Sequence, residues 1–217
     1  MSCKAVVALA GALVVAAAAG ADEALALVRL EALGSALRTQ AVWSASYAQE
    51  YLPAGMTEGE EAAGRVWVAW PDRAHFRIGQ PAIRSMGLEG RTVRLVDLEV
   101  PSCDEHHLSD EEWARVPLVA VLDPRGAVEQ FSVLSHGRSG LVLKPRAAGG
   151  VDHVVVEIGP DSLPLEVVIV DPQGATNRLR FLSWAASEGP PDGKWLPPGP
   201  EGVPCETVEG ADSELPD

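Results

Sequence analysis

From residue 43 onward the chain is a succession of short segments in which apolar and polar side chains alternate, each ended by Gly, Pro or Asp. Trp43, Ala45 and Tyr47 alternate with Ser44, Ser46 and Ala48. A Gly- and Glu-rich stretch, Gly55 to Gly64, then leads into Arg65-Val66-Trp67-Val68-Ala69-Trp70, which Pro71 ends. Further segments of this kind fall at 75–79, 92–98, 128–134, 141–144, 153–158, 165–170 and 178–184. A period of two marks a half-buried strand. Two of the turns share one formula, Asp123-Pro124-Arg125-Gly126 and Asp171-Pro172-Gln173-Gly174, which suits a type I turn. Parallel pairing would need crossover helices, so the pattern predicts a mainly β fold around one antiparallel sheet.

A charged side chain within a strand marks its outward face. Arg77 outward sets Phe76 and Ile78 inward, and Arg94 does the same for Val93 and Leu95. Glu157 leaves Val154, Val156 and Ile158 inward, and Glu166 leaves Leu165, Val167 and Ile169. Arg178 and Arg180 leave Leu179 and Phe181. A wide sheet with one aliphatic face must curl on itself or be covered. Residues 22–38 supply a cover: Leu25, Val28, Leu33 and Leu37 recur at helical spacing behind Asp22 and Glu23, predicting an amphipathic helix. One helix does not hide the whole sheet. Two outcomes stay open, a solid core or an apolar hollow.

The ends set the compartment. Lys4 precedes an unbroken apolar run from Ala5 to Ala19, and Ala19-Gly20-Ala21 offers small residues at a cleavage point. This predicts a signal peptide over 1–21 and a mature start at Asp22. The run is short for a membrane span, and Cys3 lies before it instead of at the cleavage point, so neither an anchor nor a lipidated terminus is expected. Residues 22–207 then form one domain, and 208–217 an acidic, disordered tail. Loss of Lys4 moves the formal charge from −14 to −15, a surface that repels phosphate backbones and anionic headgroups and so excludes nucleic acid as a partner. Cys103 and Cys205 remain after cleavage. In an oxidising compartment they either form one disulfide or stay as two thiols, and spacing does not decide.

The cluster most like a metal site is Cys103-Asp104-Glu105-His106-His107 with Asp110, Glu111 and Glu112. It lacks a second motif at ligand spacing and reads as a solvated acidic loop, with Ser109 and Glu112 at capping-box spacing for a short helix near 109–115. Gly-x-Ser-x-Gly, Cys-x-x-Cys and phosphate-binding Gly loops are missing from the sequence, so no catalysis, metal or cofactor is expected.

The stretch from Gly64 through Trp67, Val68 and Pro71 to Gln80-Pro81, followed by the Glu89-Gly90 turn, resembles the central signature of the outer-membrane lipoprotein carrier family, the LolA type. Upstream, Trp43, Ala45, Tyr47 and Gln49 match that family's first strand, and a leading helix precedes it. Downstream, Leu143-Lys144-Pro145, Pro197-Pro198 and Gly202-Val203 match its later motifs in order. The resemblance implies an unclosed antiparallel barrel whose mouth is covered by the N-terminal helix and short helices. It implies a monomeric periplasmic carrier that shields the acyl chains of lipoproteins. Such a carrier takes cargo from an inner-membrane ATP-driven exporter and passes it to an outer-membrane receptor.

By position in the family, Leu37, Phe76, Ile78, Leu118, Val119 and Val121 would line the cavity, and Val66, Val68, Val93 and Leu95 join them as candidate lining residues. The family's Arg directly before the Pro, which holds the lid shut, is Trp70 here. An indole has one N–H donor where a guanidinium has a fork of five. That departure keeps a second reading open, a lipid- or lipoprotein-sensing domain on the same scaffold.

Overall fold

The computed structural model describes residues 22–113, 124–147 and 149–208. The expected signal peptide over 1–21 lies outside them, as does the expected tail over 208–217 except for Val208, which ends the last strand. Helix α1 (residues 22–37) precedes six strands: β1 (Trp43–Leu52), β2 (Glu60–Ala69), β3 (Arg73–Ile78), β4 (Arg84–Glu89), β5 (Thr92–Asp97) and β6 (Ser102–His107). Two short helices follow, α2 (Asp110–Trp113) and α3 (Pro124–Gln130). The chain then runs through β7 (Phe131–His136), β8 (Gly140–Pro145), β9 (His153–Ile158), β10 (Pro164–Val170) and β11 (Thr176–Ala186), and ends on β12 (Glu206–Val208).

All of these strands join one sheet in the order β12-β6-β5-β4-β3-β2-β1-β11-β10-β9-β8-β7. Two meanders, β1–β6 and β7–β11, meet where β1 pairs β11. The outermost strands do not pair with each other, so the sheet is an unclosed half-barrel. One pairing departs from the antiparallel expectation: β12 runs parallel to β6.

The inner face carries α1. Its buried residues are Ala26, Leu30, Leu33 and Leu37, spaced four, three and four apart along one helical stripe. Leu25 and Val28, expected in that stripe, sit a position or two off it and are exposed. The helix packs into a core built from Ala45, Tyr47, Val66 and Val68 on one side and Phe131, Leu141, Leu143, Val154 and Val156 on the other. Residues from both meanders thus reach one helix, which is what curling achieves. Arg29 fastens the helix to the β7–β8 turn by donating to the carbonyls of Gly140 (3.1 Å) and Arg138 (2.5 Å).

Several sequence expectations are corrected. Residues 128–130 belong to α3, with Pro124 in its first turn where a missing N–H costs nothing, so the strand there begins at Phe131. Leu165 is exposed, because the register shifts between Pro164 and Glu166 and the bulge turns it out. Segment 102–107, read as a solvated loop, is strand β6, and its alternation sends Cys103 and Glu105 to one face and Asp104 and His106 to the other. The Ser109–Glu112 capping box does form: the Glu112 carboxylate accepts the Ser109 N–H at 2.8 Å, and Ser109 Oγ accepts the Glu112 N–H at 3.2 Å.

The outer face of the β1–β6 half is covered too. After β11 the chain returns across it as an extended strap, residues 187–205, which disulfide Cys103–Cys205 ties to β6. Trp195 packs on Trp67 and Ala69, and the Arg73 guanidinium stacks on its ring at 5.2 Å. Gly87 makes this approach feasible, since a Cβ there would meet Leu196 Cα at 2.9 Å. Buried His75 directs Nδ1–H to the carbonyls of Lys194 (3.0 Å) and Trp195 (3.1 Å), while its Nε2 accepts from Arg77 Nε at 3.4 Å.

Burial holds the His75 imidazole below its ordinary pKa, helped by the Arg77 charge and opposed by the Lys194 and Trp195 carbonyls and Asp192. The unfolded chain therefore takes up this proton first as pH falls below about 6.5. Stability conferred by neutral His75 is present above that value and lost on acidification. The thermal midpoint should fall between pH 7 and pH 5, and His75→Gln should flatten that slope. An unchanged slope in the variant would place the acid sensitivity elsewhere.

Candidate functional site

The inner face changes character as it leaves α1. Cross-strand register aligns Val66, Phe76, Met86 and Leu95 in one row of β2–β5, and Val68, Ala74, Leu88 and Val93 in the next. Exposure rises along the first row, from 0% at Val66 through half-buried Phe76 and Met86 to 41% at Leu95. The rows end at β6 on Asp104 and His106, where the aliphatic surface gives way to polar groups. Packed core thus continues, without a break in the sheet, into apolar surface that the described residues cover only in part.

Phe76 stands at the change. Its ring meets Tyr47 edge-on at 5.9 Å between centroids, and Tyr47 continues to Phe181 at 6.5 Å and thence to Trp184. Tyr47 lies over Gly64, where a Cβ would sit 2.8 Å from the phenol, and its hydroxyl donates to the Arg77 carbonyl at 3.4 Å. Burial pushes the Tyr47 phenol well above its usual pKa, so it stays a neutral hydrogen-bond donor. The ring that Phe76 meets is therefore uncharged.

The candidate lining residues separate into two groups. Leu37, Val66 and Val68 are 4%, 0% and 5% exposed and belong to the packed core, because α1 lies over that part of the sheet. Phe76 and Ile78 are half-buried against the core's edge, Val93 is half-buried and Leu95 is exposed, all on the inner face. Leu118, Val119 and Val121 lie outside the described residues. Trp70 is 48% exposed, just past β2, and joins Pro71 through a cis peptide. Half-buried Met86 extends the surface, and Leu88 on the same face is buried at 4% exposure; neither was anticipated, since Gly87 between them breaks the strand pattern that would have disclosed β4.

The outer face holds a smaller feature. A cavity of about 240 Å³ opens beside Arg65, Trp67 and Arg77, walled by Gly79, Gln80, Pro81, Ala82 and Pro191 of the strap. Reading Arg77 as an outward marker locates the face correctly and misses both Arg65 opposite it and the indole that the two approach.

A family model described as outer membrane lipoprotein carrier protein LolA matches residues 38–195. No curated protein matches the sequence. Among solved structures, a DUF1329 family protein from Desulfovibrio piger is similar at 8% identity, covering 79% of this chain and 95% of that one, with a TM-score of 0.46. The MucA/MucB complex of Pseudomonas aeruginosa is similar at 16% identity and a TM-score of 0.43, covering 76% of this chain and 58% of that one. A LolA superfamily protein from Nitrosomonas europaea is similar at 10% identity and a TM-score of 0.42, with 77% and 96% covered. No helix among the described residues is long and apolar enough to cross a membrane.

Proposed function

The chain belongs to the LolA family of outer membrane lipoprotein carriers, and from that premise we propose that it is a non-catalytic periplasmic carrier that shields lipoprotein acyl chains and delivers them to the outer membrane. In this reading it takes its cargo from an inner-membrane ATP-driven exporter and hands it to an outer-membrane receptor. The observation that carries the proposal is the graded inner face, where Phe76, Met86, Val93 and Leu95 continue the core as partly covered apolar surface.

Partial cover suits a shuttle. Each buried methylene gains about 0.8 kcal/mol, so full burial of a sixteen-carbon chain would gain roughly 12 kcal/mol gross. That is about the free energy of nanomolar binding, too tight for ready release. An open surface of Leu, Val, Ile and Met holds less of the chain, and it asks for no exact length.

Purification from a periplasm followed by mass spectrometry tests the reading, with bound acylated species as the expected result. Failure to recover such species, together with no uptake of a fluorescent fatty-acyl probe, would overturn it. Trp70 in place of the family's Arg favours a second reading, a sensor of lipid or lipoprotein on the same scaffold. Probe-loaded protein mixed with acceptor vesicles separates the two: a carrier gives up the probe, and a sensor retains it.

A further inference from the structure

Arg65 and Arg77 face each other directly across β2 and β3, an arrangement that like charges disfavour. Both guanidinium groups lie 5.8 Å from the centre of the Trp67 ring, which they flank. One carboxylate answers them: Asp192 of the strap pairs with Arg77 at 3.3 Å. Among the described residues Arg65 has no carboxylate within ion-pair distance. The 240 Å³ cavity opens at this spot, and its remaining walls are largely Pro81, Ala82, Pro191 and the indole. Two close cations, a single counter-charge and an adjoining hollow make this spot locally electropositive on an otherwise acidic protein.

We propose that this outer-face pocket docks a carboxylate-bearing segment of a protein partner, an Asp or Glu side chain entering beside Trp67 to pair with Arg65. The rest of the molecule decides the kind of anion. With a formal charge of −14, the protein repels an extended polyanion such as a nucleic acid or an anionic membrane surface, which would bring many charges against it. A peptide loop brings one or two, and Arg presents the planar fork that a carboxylate accepts. The pocket lies on the face opposite Phe76 and Leu95, since Arg77 alternates with Phe76 along β3. A partner docked here leaves the inner surface free, so cargo and partner are held together. The inference does not depend on what the inner face carries.

The test is binding of a fluorescein-labelled Gly-Gly-Glu-Gly-Gly amide to the purified protein by fluorescence anisotropy, with the Gly-Gly-Lys-Gly-Gly amide as the reverse-charge control. The Glu peptide should bind, weaken as salt is raised, and bind at least tenfold more weakly to Arg65→Gln. Fatty-acyl probe uptake by Arg65→Gln should stay unchanged, which keeps this test separate from that of the carrier reading. Equal binding to the wild type and Arg65→Gln would overturn the proposal, as would preference for the Lys peptide. Anionic vesicles competing through Arg65 would make the surface a lipid-headgroup site instead. Binding seen only after removal of residues 209–217 would assign the pocket to the chain's own acidic tail. Either result overturns the partner reading.

Discussion

Replacing Cys103 and Cys205 together by Ala should lower the thermal midpoint by about 10–15 °C. The disulfide closes a loop 102 residues apart in sequence. In the chain-entropy account a loop of that length restrains the unfolded ensemble by about 4–5 kcal/mol. For a domain of this size each kcal/mol is worth roughly 2–4 °C. The loss should fall first on the end of the strap, because β12 adds only three parallel pairings, Glu206 to Asp104 through Val208 to His106. Hydrogen exchange should therefore rise at 206–208 and along β6 before the core responds, and a reductant should reproduce the shift in the wild type. A midpoint within 3 °C of the wild type would mean that Trp195, His75 and Gly87 already fix the strap without the bond.

The second large effect concerns the inner face. Phe76→Glu should abolish fatty-acyl probe uptake, a loss of at least tenfold, while circular dichroism remains that of the folded protein. Phe76 is half-buried, so the new carboxylate keeps access to water, and the loss of the Tyr47 contact costs about 1 kcal/mol. An acyl chain laid over that position would have to strip the carboxylate of water, which costs several kcal/mol. Leu134→Glu is the matched control: Leu134 is exposed and alternates with buried Phe131 and Val133 on the edge strand β7, so uptake should be unchanged. Unfolding of Phe76→Glu would show that the residue belongs to the core and does not form a binding surface.

The elements legible in the sequence are those where alternation and charge agree. Arg77, Arg94 and Glu157 each mark the outward face of their strand, and Phe76, Val93 and Val156 lie on the opposite side. Strand β4 was hidden because Gly87, needed for the close passage of the strap, removes the side chain that would complete the pattern. Strand β6 was hidden because it is polar nearly throughout and finds its order in pairing with β5 and in the Arg94–Glu105 ion pair at 2.5 Å. Sequence spacing left the pairing of Cys103 with Cys205 open, since only the returning strap brings their Cα atoms to 4.5 Å. The stripe of α1 was half right: a helical period allows several stripes, and the surface beneath chose Ala26 and Leu30 over Leu25 and Val28.

The strap along the back of β2–β6 has a mechanical consequence. A thin sheet ordinarily owes its stiffness to whatever fills its front, and α1 serves the neighbouring strands in that way. Strands β3–β5 are buttressed from behind instead, through His75 on the Lys194 and Trp195 carbonyls, the close passage of Leu196 at Gly87 and Arg94 on the Pro197 carbonyl at 3.2 Å. A wall braced in this way would keep its shape whether its front were bare or occupied, and a guest would not need to supply the rigidity of its host.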